Sequence, residues 1–460
     1  MRSLEPHKRR SAPILPLLAK EFREIGVGRA FWTMLLLMCP LIGYSFFQAI
    51  SLYADASTAG LQSPVLASSL SPLDGMLVPT FGAFYVAVTL LFPFVAIRVL
   101  GQEKETGGLR LLVQLPYRTT TLIFAKLAAI VAGWFLVSLP MLSALAIWKI
   151  IGGHLSAPET LNLIFGHLLY GILVGAIGLF AASVSESAAT AAIIALAFTI
   201  SSWVLDFTIA GQPGLLEWIA RLSLTQTLRT FEQGLLSAGL ILGIVTAISG
   251  FSALATVWLP PGVPTRTKFI RSAVVVLLAA AVLSVVAQAK FSVDVTEDRR
   301  NSFSLADERL LATLAHPLIA TVHLAPEDPR YADLQRNVLA KLERVMPNVT
   351  VSLAGGRQSI PSNSADAAYG EVEYAYNGRS DTSRSTSPRE ILPLLYNLAG
   401  LPNPAAVPGG EYPGYPLVGD GYLALPWFFV GLPLLIGISW WWHRRPPPSN
   451  PFRAHEGGRS

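Results

Sequence analysis

One cysteine, Cys39, stands in the 460 residues, so the chain can form no internal disulfide and carries no cysteine-based metal cluster. Charge is scarce as well: 14% of residues are Asp, Glu, Lys or Arg, against roughly 25% in an ordinary soluble domain. No G-x-x-x-x-G-K-[ST] phosphate loop occurs, which excludes nucleotide hydrolysis by this chain through that motif. The seven histidines are scattered with no i,i+4 ligand pair, and His316 and His323, near strand positions, read as surface or partly buried side chains. Residues 290–421 lack both cysteine and a G-x-S-x-G elbow. Neither a catalytic set nor a metal site is expected, and an anchored envelope hydrolase is a remote reading.

What is present is apolar: 52% of the chain is hydrophobic. Runs nearly free of charge cover residues 30–50, 78–97, 121–148, 161–184, 188–210, 235–259, 269–289 and 422–442. Each is close to the length of about 20 residues that crosses a bilayer, so about eight spans are expected. The first has a basic approach like a secretion signal, but its apolar core is longer than the usual signal core of about 7–15 residues. The formal charge of +5 does not point to nucleic acid, because Lys and Arg sit in short segments beside the spans. Arg98, Lys104, Arg110 and Arg118, then Arg266, Lys268 and Arg271, then Arg444 and Arg445 all fall on one side by alternation. That side is the cytoplasm under the positive-inside rule, with both termini. The exception is the outer connection with Arg221 and Arg229, balanced by Glu217 and Glu232. Lys126, Lys149 and Asp206 lie near span ends, where long side chains snorkel, and the lack of other intramembrane carboxylates disfavours an ion-driven transporter.

Ahead of the first span, Leu17, Leu18, Phe22 and Ile25 alternate with Lys20, Glu21, Arg23 and Glu24, the pattern of an amphipathic helix on a membrane surface. The only soluble-looking stretch is 291–421. Its signals are a capped helix at 304–314, strands at 319–324, 349–353 and 371–376, and an amphipathic helix at 332–346, followed by a Pro- and Gly-rich linker. A modest β-α-β-β core is expected there. Between spans two and three, Glu103 and Glu105 precede a glycine-broken turn at Gly107 and a short apolar helix through Leu109 that ends at Leu115 and Pro116. It reads either as a rigid knob offering anionic contacts to a soluble partner or as a solvated loop meeting the membrane; the residues alone leave both open.

The pattern Glu103-x-Glu105-x-Gly107-x-Leu109…Leu115-Pro116…Lys126 resembles the signature of type-2 ABC exporter permeases. The amphipathic helix before span one resembles that family's connecting helix, and residues 223–234 resemble its external re-entrant segment. The resemblance implies a six-span unit over 30–262, docked to a dimer of ABC ATPase subunits through Phe22 and Arg23 of the helix and the Glu103–Pro116 loop. It also implies a re-entrant gate carrying Phe231 and Gly234. ATP and Mg would be bound by the ATPase and no cofactor by this chain; permeases of that family pair as homodimers or heterodimers within the lipid of the bacterial inner membrane. Residues 294–305, with Asp294, Thr296, Phe303 and Ser304, and later 378–388, resemble the auxiliary subunit of gliding-motility-type ABC transporters in shortened form. The implied layout is 1–29 cytoplasmic with the connecting helix, 30–262 permease, 263–290 seventh span, 291–421 external α/β domain and linker, 422–443 eighth span and 444–460 cytoplasmic tail. An envelope protein reached through the external domain is a further candidate partner. The function implied is export of an amphiphilic or hydrophobic passenger. The other reading is a mechanotransmitter in which the ATPase cycle moves the external domain without transport.

Overall fold

The computed structural model describes residues 14–115, 117–209, 224–289, 291–325, 328–346, 348–353, 369–404 and 412–443. The fold is an α-helical bundle with a small α/β domain at one end. Among the described residues, seven helical stretches are long and apolar enough to cross a membrane: Arg29–Gly60, Leu73–Glu105, Thr119–Ile150, Ala157–Val184, Ala238–Trp258, Thr265–Val286 and Ala424–His443. Between the fourth and fifth of these runs the helix Ala188–Ile209, with a shorter apolar stretch at Ala188–Ser202. We number all eight in chain order as spans one to eight.

Span one is longer than its apolar run suggests. Its 32 residues reach about 48 Å at about 1.5 Å per residue, beyond the roughly 30 Å of hydrocarbon. Its last turns form a platform: Tyr53 Oη donates to the Tyr415 carbonyl at 2.7 Å, and Ser57 Oγ accepts from the Leu417 amide at 2.9 Å. Span three breaks between Val137 and Leu139, because Pro140 has no N–H to continue the helical ladder. Span four is the centre of the bundle. It presents Gly171, Gly175 and Gly178 to neighbours, and an added Cβ would come within 2.3 Å of Trp134, 2.6 Å of Ile130 and 2.8 Å of Ala96 respectively. Small residues let these helices approach where lipid provides no hydrophobic drive for association. Span seven is peripheral, none of its apolar window being buried within the chain.

Successive spans alternate in direction, so the bundle has a near side, where the N-terminal helix Ile14–Val27 lies, and a far side, which carries the α/β domain. Span eight returns to the near side, where His443 packs 5.7 Å from the Trp32 ring. Span six begins at Ala238, after a short strand β1 (Leu235–Ser237), and not at 235 as the apolar run suggested. β1 pairs antiparallel with β2 (Ser292–Asp294), Leu235 opposite Asp294, which ties the start of span six to the chain leaving span seven.

The α/β domain is a four-stranded sheet of β3 (Leu318–Val322), β4 (Val349–Leu353), β5 (Val372–Tyr376) and β6 (Arg379–Ser383) in the order β4-β3-β5-β6. β3 and β4 are parallel, joined by the helical stretch Pro329–Val345, and the other pairs are antiparallel. One sheet face is covered by that stretch and by the helix Pro388–Ala399, with Leu318, Ala320, Val322, Val372 and Tyr374 buried beneath them. Two of these elements exceed the β-α-β-β expectation. β6 has no apolar alternation because it is an exposed edge strand, although Asn377 and Gly378, at φ 49° and 77°, mark the turn before it. The helix Pro388–Ala399 has proline in its first turn and Gly400 in the left-handed region at its end.

Candidate functional site

The near side is organised by a cluster of charges. The N-terminal helix buries Leu17, Glu21 and Ile25, three residues at i, i+4 spacing that share one face. Leu17 packs on Leu122 and Ala125 of span three, and Glu21 faces Lys126 in the same contact. Lys126 is 1% exposed, with Nζ 3.0 Å from Glu21 Oε2 and 2.7 Å from Glu103 Oε2, and it donates to the Val99 carbonyl at 3.0 Å. Lys20 closes the cluster from outside, paired with Glu103 and, at 3.1 Å, with Glu24. The N-terminal helix, span two and span three therefore meet at a single ion network.

Two sequence expectations change here. Lys126 does not snorkel to water but is fully enclosed by its carboxylate partners. Glu103, expected as an outward contact for a soluble partner, is 5% exposed and turned inward, because the buried Lys126 and the half-buried Lys20 claim its oxygens. Burial pushes the Glu21 carboxyl up from the ordinary range, against the pull of Lys126. Burial also opposes the charge on Lys20, but Glu103, Glu21 and Glu24 outweigh it and raise its pKa. Oxygens of Glu21, Glu24 and Glu103 lie within 4.8 Å of one another. Each of the three already pairs with Lys20 or Lys126, so the arrangement is an ion cluster and not a cation cradle.

The remaining loop residues fall on both sides of the surface. Lys104 turns back and donates to the carbonyls of Ala182, Ser183 and Ser185 at 2.6, 2.8 and 2.9 Å, capping the end of span four. Gly107, at φ 74°, makes the left-handed turn into the helix Gly108–Gln114. Leu109 is buried, while Glu105, Leu111 and Leu115 are exposed, as are Phe22 and Arg23 on the N-terminal helix. Pro116 lies outside the described residues. Glu21 and Lys20 were not singled out by sequence reasoning. The available signal was a carboxylate at 21 between Leu17 and Ile25, on the apolar face, which requires a buried cation.

On the far side, Phe231 lies in the last turn of the helix Leu224–Glu232, and Gly234 follows it. Phe231 is buried against Gly166 of span four, where a Cβ would lie 2.5 Å from its ring, and its carbonyl accepts from Asn162 Nδ2 at 3.0 Å. Gly234, at φ 74°, sits against Thr296, whose Cγ2 would be 2.1 Å from an added Cβ. Thr296 belongs to a strap, residues 294–303, that joins the bundle to the α/β domain. Asp294 orders it by accepting from the Thr296 amide at 3.1 Å, the Thr296 hydroxyl at 2.6 Å and the Asn301 amide at 3.0 Å.

The bundle holds the strap along its length. Val295 N–H donates to the Gly234 carbonyl at 3.0 Å, and Asn301 Nδ2 to the Gln233 carbonyl at 2.7 Å. Glu159, at the start of span four, accepts from the Glu297 amide at 2.7 Å. Arg300 pairs with Asp74 at the start of span two and donates to Ser71 Oγ at 2.9 Å. His154 Nε2 lies 2.9 Å from Glu297 and its ring stacks on Tyr415 at 3.5 Å. The domain grips the other end through Lys341, which donates to the Ser302 carbonyl, and Arg344, which donates to the Asn301 carbonyl. Sequence reasoning noticed the 294–305 run but not these partners, which come from four separate parts of the chain.

Comparison with known proteins adds one match. A protein-family model described as ABC-2 family transporter protein matches residues 15–294, from the N-terminal helix to the end of β2. No curated protein matches the chain. No solved structure does so either.

Proposed function

The chain belongs to the ABC-2 family of transporter proteins, a membrane-spanning subunit that works with an ABC ATPase, and from that premise we propose that it is an export permease driven by a separate ATPase polypeptide. The ATPase docks on the near side, against the exposed face formed by Phe22, Arg23, Glu105, Leu111 and Leu115. Leu111 is 68% exposed on a short helix beyond the end of span two, and an apolar side chain there suits a covered surface. Under this reading the near side is cytoplasmic and the far side external.

The observation that carries the proposal is the network of Lys20, Glu21, Glu103 and Lys126. Buried ion pairs contribute little net stability, since desolvation offsets their attraction, but each has few satisfied geometries. A network shared by three helices therefore makes them move together. A push on the docking face is passed to spans two and three as a displacement, and packed interfaces convert such displacements into discrete rearrangements. The passenger we infer is amphiphilic or hydrophobic, because the spans carry almost no unpaired charge.

The test is to purify the full chain in mild detergent with whatever accompanies it. An ATPase polypeptide should co-purify, and ATP hydrolysis should reside in the complex and vanish when that subunit is removed. Hydrolysis by the chain alone would overturn the proposal.

A second reading is favoured by the strap: Gly234, Glu159, Asp74 and Arg300 fasten the α/β domain to the segment expected to gate the far side. In this mechanotransmitter, the domain is a shortened auxiliary subunit of gliding-motility type that acts on an envelope protein. ATP-dependent distance changes between the domain and span two, with no flux from reconstituted vesicles, would select it.

A further inference from the structure

The outer half of span four carries buried polar groups with nothing to bond. Ser156, Thr160 and His167 stand at i, i+4 and i+11, one face of the helix reaching about 16 Å inward from the far side at about 1.5 Å per residue. They are 6%, 9% and 1% exposed. Among the described residues none offers a hydrogen-bond partner to Ser156 Oγ, Thr160 Oγ1 or either ring nitrogen of His167. The imidazole lies against two rings of span two, 5.0 Å from Phe81 and 5.8 Å from Phe84. Further in, the same seam between spans two and four changes character. Tyr170 and Thr89 share a hydrogen bond at 2.6 Å. Gly178 packs so closely on span two that an added Cβ would lie 2.8 Å from Ala96 Cβ and 3.3 Å from the Pro93 carbonyl.

The strap lies across the outer end of this seam. On the span-four side, Glu159 accepts from the Glu297 amide at 2.7 Å, one residue before Thr160. On the span-two side, Arg300 pairs with Asp74 and donates to Ser71 Oγ at 2.9 Å.

We propose that the outer half of this seam is a gate, which parts from the far side, brings water to Thr160 and His167, and is held shut by the strap. The argument is a balance of satisfied and unsatisfied groups. A buried hydroxyl or imidazole without a partner bears the full cost of its desolvation, and parting the seam restores its bonds to water. The inner half gains nothing by parting, because its hydroxyls are paired and its backbones are in close contact. Tyr170 and Thr89 therefore mark the hinge, and the parted seam presents a lining of neutral donors and acceptors. Lys341 and Arg344 grip the strap from the α/β domain, so movement of that domain opens or shuts the gate. The gate holds whether the chain exports a passenger or only transmits motion.

The experiment uses the full chain in lipid nanodiscs, with Cys39→Ala removing the one native thiol and a charged methanethiosulfonate as the probe. Thr160→Cys and His167→Cys should each react slowly while the strap is intact. Adding Arg300→Gln should speed both about tenfold, the population change that follows loss of one hydrogen bond to a charged group. Val174→Cys, buried on the inner half of span four, should stay unreactive in both backgrounds. His167→Leu keeps the volume and removes the unpartnered nitrogens, so it should melt no lower than wild type and should slow labelling at Thr160→Cys in the Arg300→Gln background. Unchanged labelling at both positions on adding Arg300→Gln would overturn the proposal. Fast labelling with the strap intact would do the same, since the stripe would then be wet already. An equal gain at Val174→Cys would mean a general loosening of the bundle, and a clear fall in melting temperature for His167→Leu would mean a structural bond to the imidazole. Either result removes the gate.

Discussion

Replacing Lys126 by Met keeps most of the side-chain length and removes the ammonium at the centre of the near-side network. The carboxylates of Glu21 and Glu103 would then be buried at 1% and 6% side-chain exposure with Lys20 as their remaining cation. Removing one partner of a buried pair costs about 3–5 kcal/mol, because the other charge is left uncompensated. Lys20 still reaches both carboxylates, which places the expected loss near the lower end, about 3 kcal/mol. The loss should depend on pH with a definite sign. Burial already raises the Glu21 carboxyl, and Lys126 is the largest influence holding it down. Without Lys126 the carboxyl rises further, so its protonated form is favoured by folding. A raised folded-state pKa gives a contribution present at low pH and lost as pH rises through that pKa. The deficit of Lys126→Met should therefore be smallest in acid and grow toward neutral pH. Unfolding titrations with dodecyl sulfate in mixed micelles at several pH values read this directly. The double variant Lys126→Met, Glu103→Gln should lose less than the sum of the two single changes, since the residues share one network. A melting behaviour like wild type at neutral pH, or strict additivity in the double variant, would refute the claim that these charges are coupled.

Glu105→Arg combined with Arg23→Glu changes exposed side chains and should weaken ATPase co-purification, with stability within about 0.5 kcal/mol of wild type. Glu103→Arg, by contrast, places a third cation beside Lys20 and Lys126 and should destabilise the chain by several kcal/mol, on the order of a broken buried pair, as thermal melting in detergent would show. Gly234→Ala should loosen the strap through a strained left-handed residue, about 1–2 kcal/mol, and a clash with Thr296. Faster hydrogen exchange at the amides of β1 and β2 is the readout, and Thr296→Ser, which removes the offending methyl, should restore part of the protection. In the α/β domain, Tyr396→Phe removes a hydroxyl that donates to Asp307 Oδ1 at 2.6 Å. A loss of about 1.5–3 kcal/mol is expected for a bond to a charged acceptor, measured by melting of the full chain.

Much of the architecture was legible along the chain because the signals are local. A run of about 20 uncharged residues has few options other than a span, and the order of β3, an amphipathic helix and β4 follows from periodicity. The short helix after span two was legible for the same reason, with Gly107 at its turn, but not that Leu109 turns inward. Elements without a hydrophobic pattern were not. β1 and β2 are three residues each and exist only as each other's partner across the entry to span six and the exit from span seven. β6 is an exposed edge whose residues are all polar.

The sequence by itself determined that this is a multi-pass membrane protein, that it has an α/β domain after its seventh span, and which short segments carry charge. Only the tertiary structure decided what those charges do. Glu103 sits in the loop motif beside Glu105, yet one is buried and the other exposed, because Lys126 and Lys20 converge on the first. Glu21 and Lys126 are 105 positions apart, and nothing in either neighbourhood names the other. Burial in a low-dielectric junction makes an unpaired charge costly, so the packing of the helices selects which acid meets which base. The strap follows the same logic: Asp294 orders its own turn locally, but its attachment to Gly234, Glu159 and Asp74 depends on three segments that only the folded bundle brings to one face.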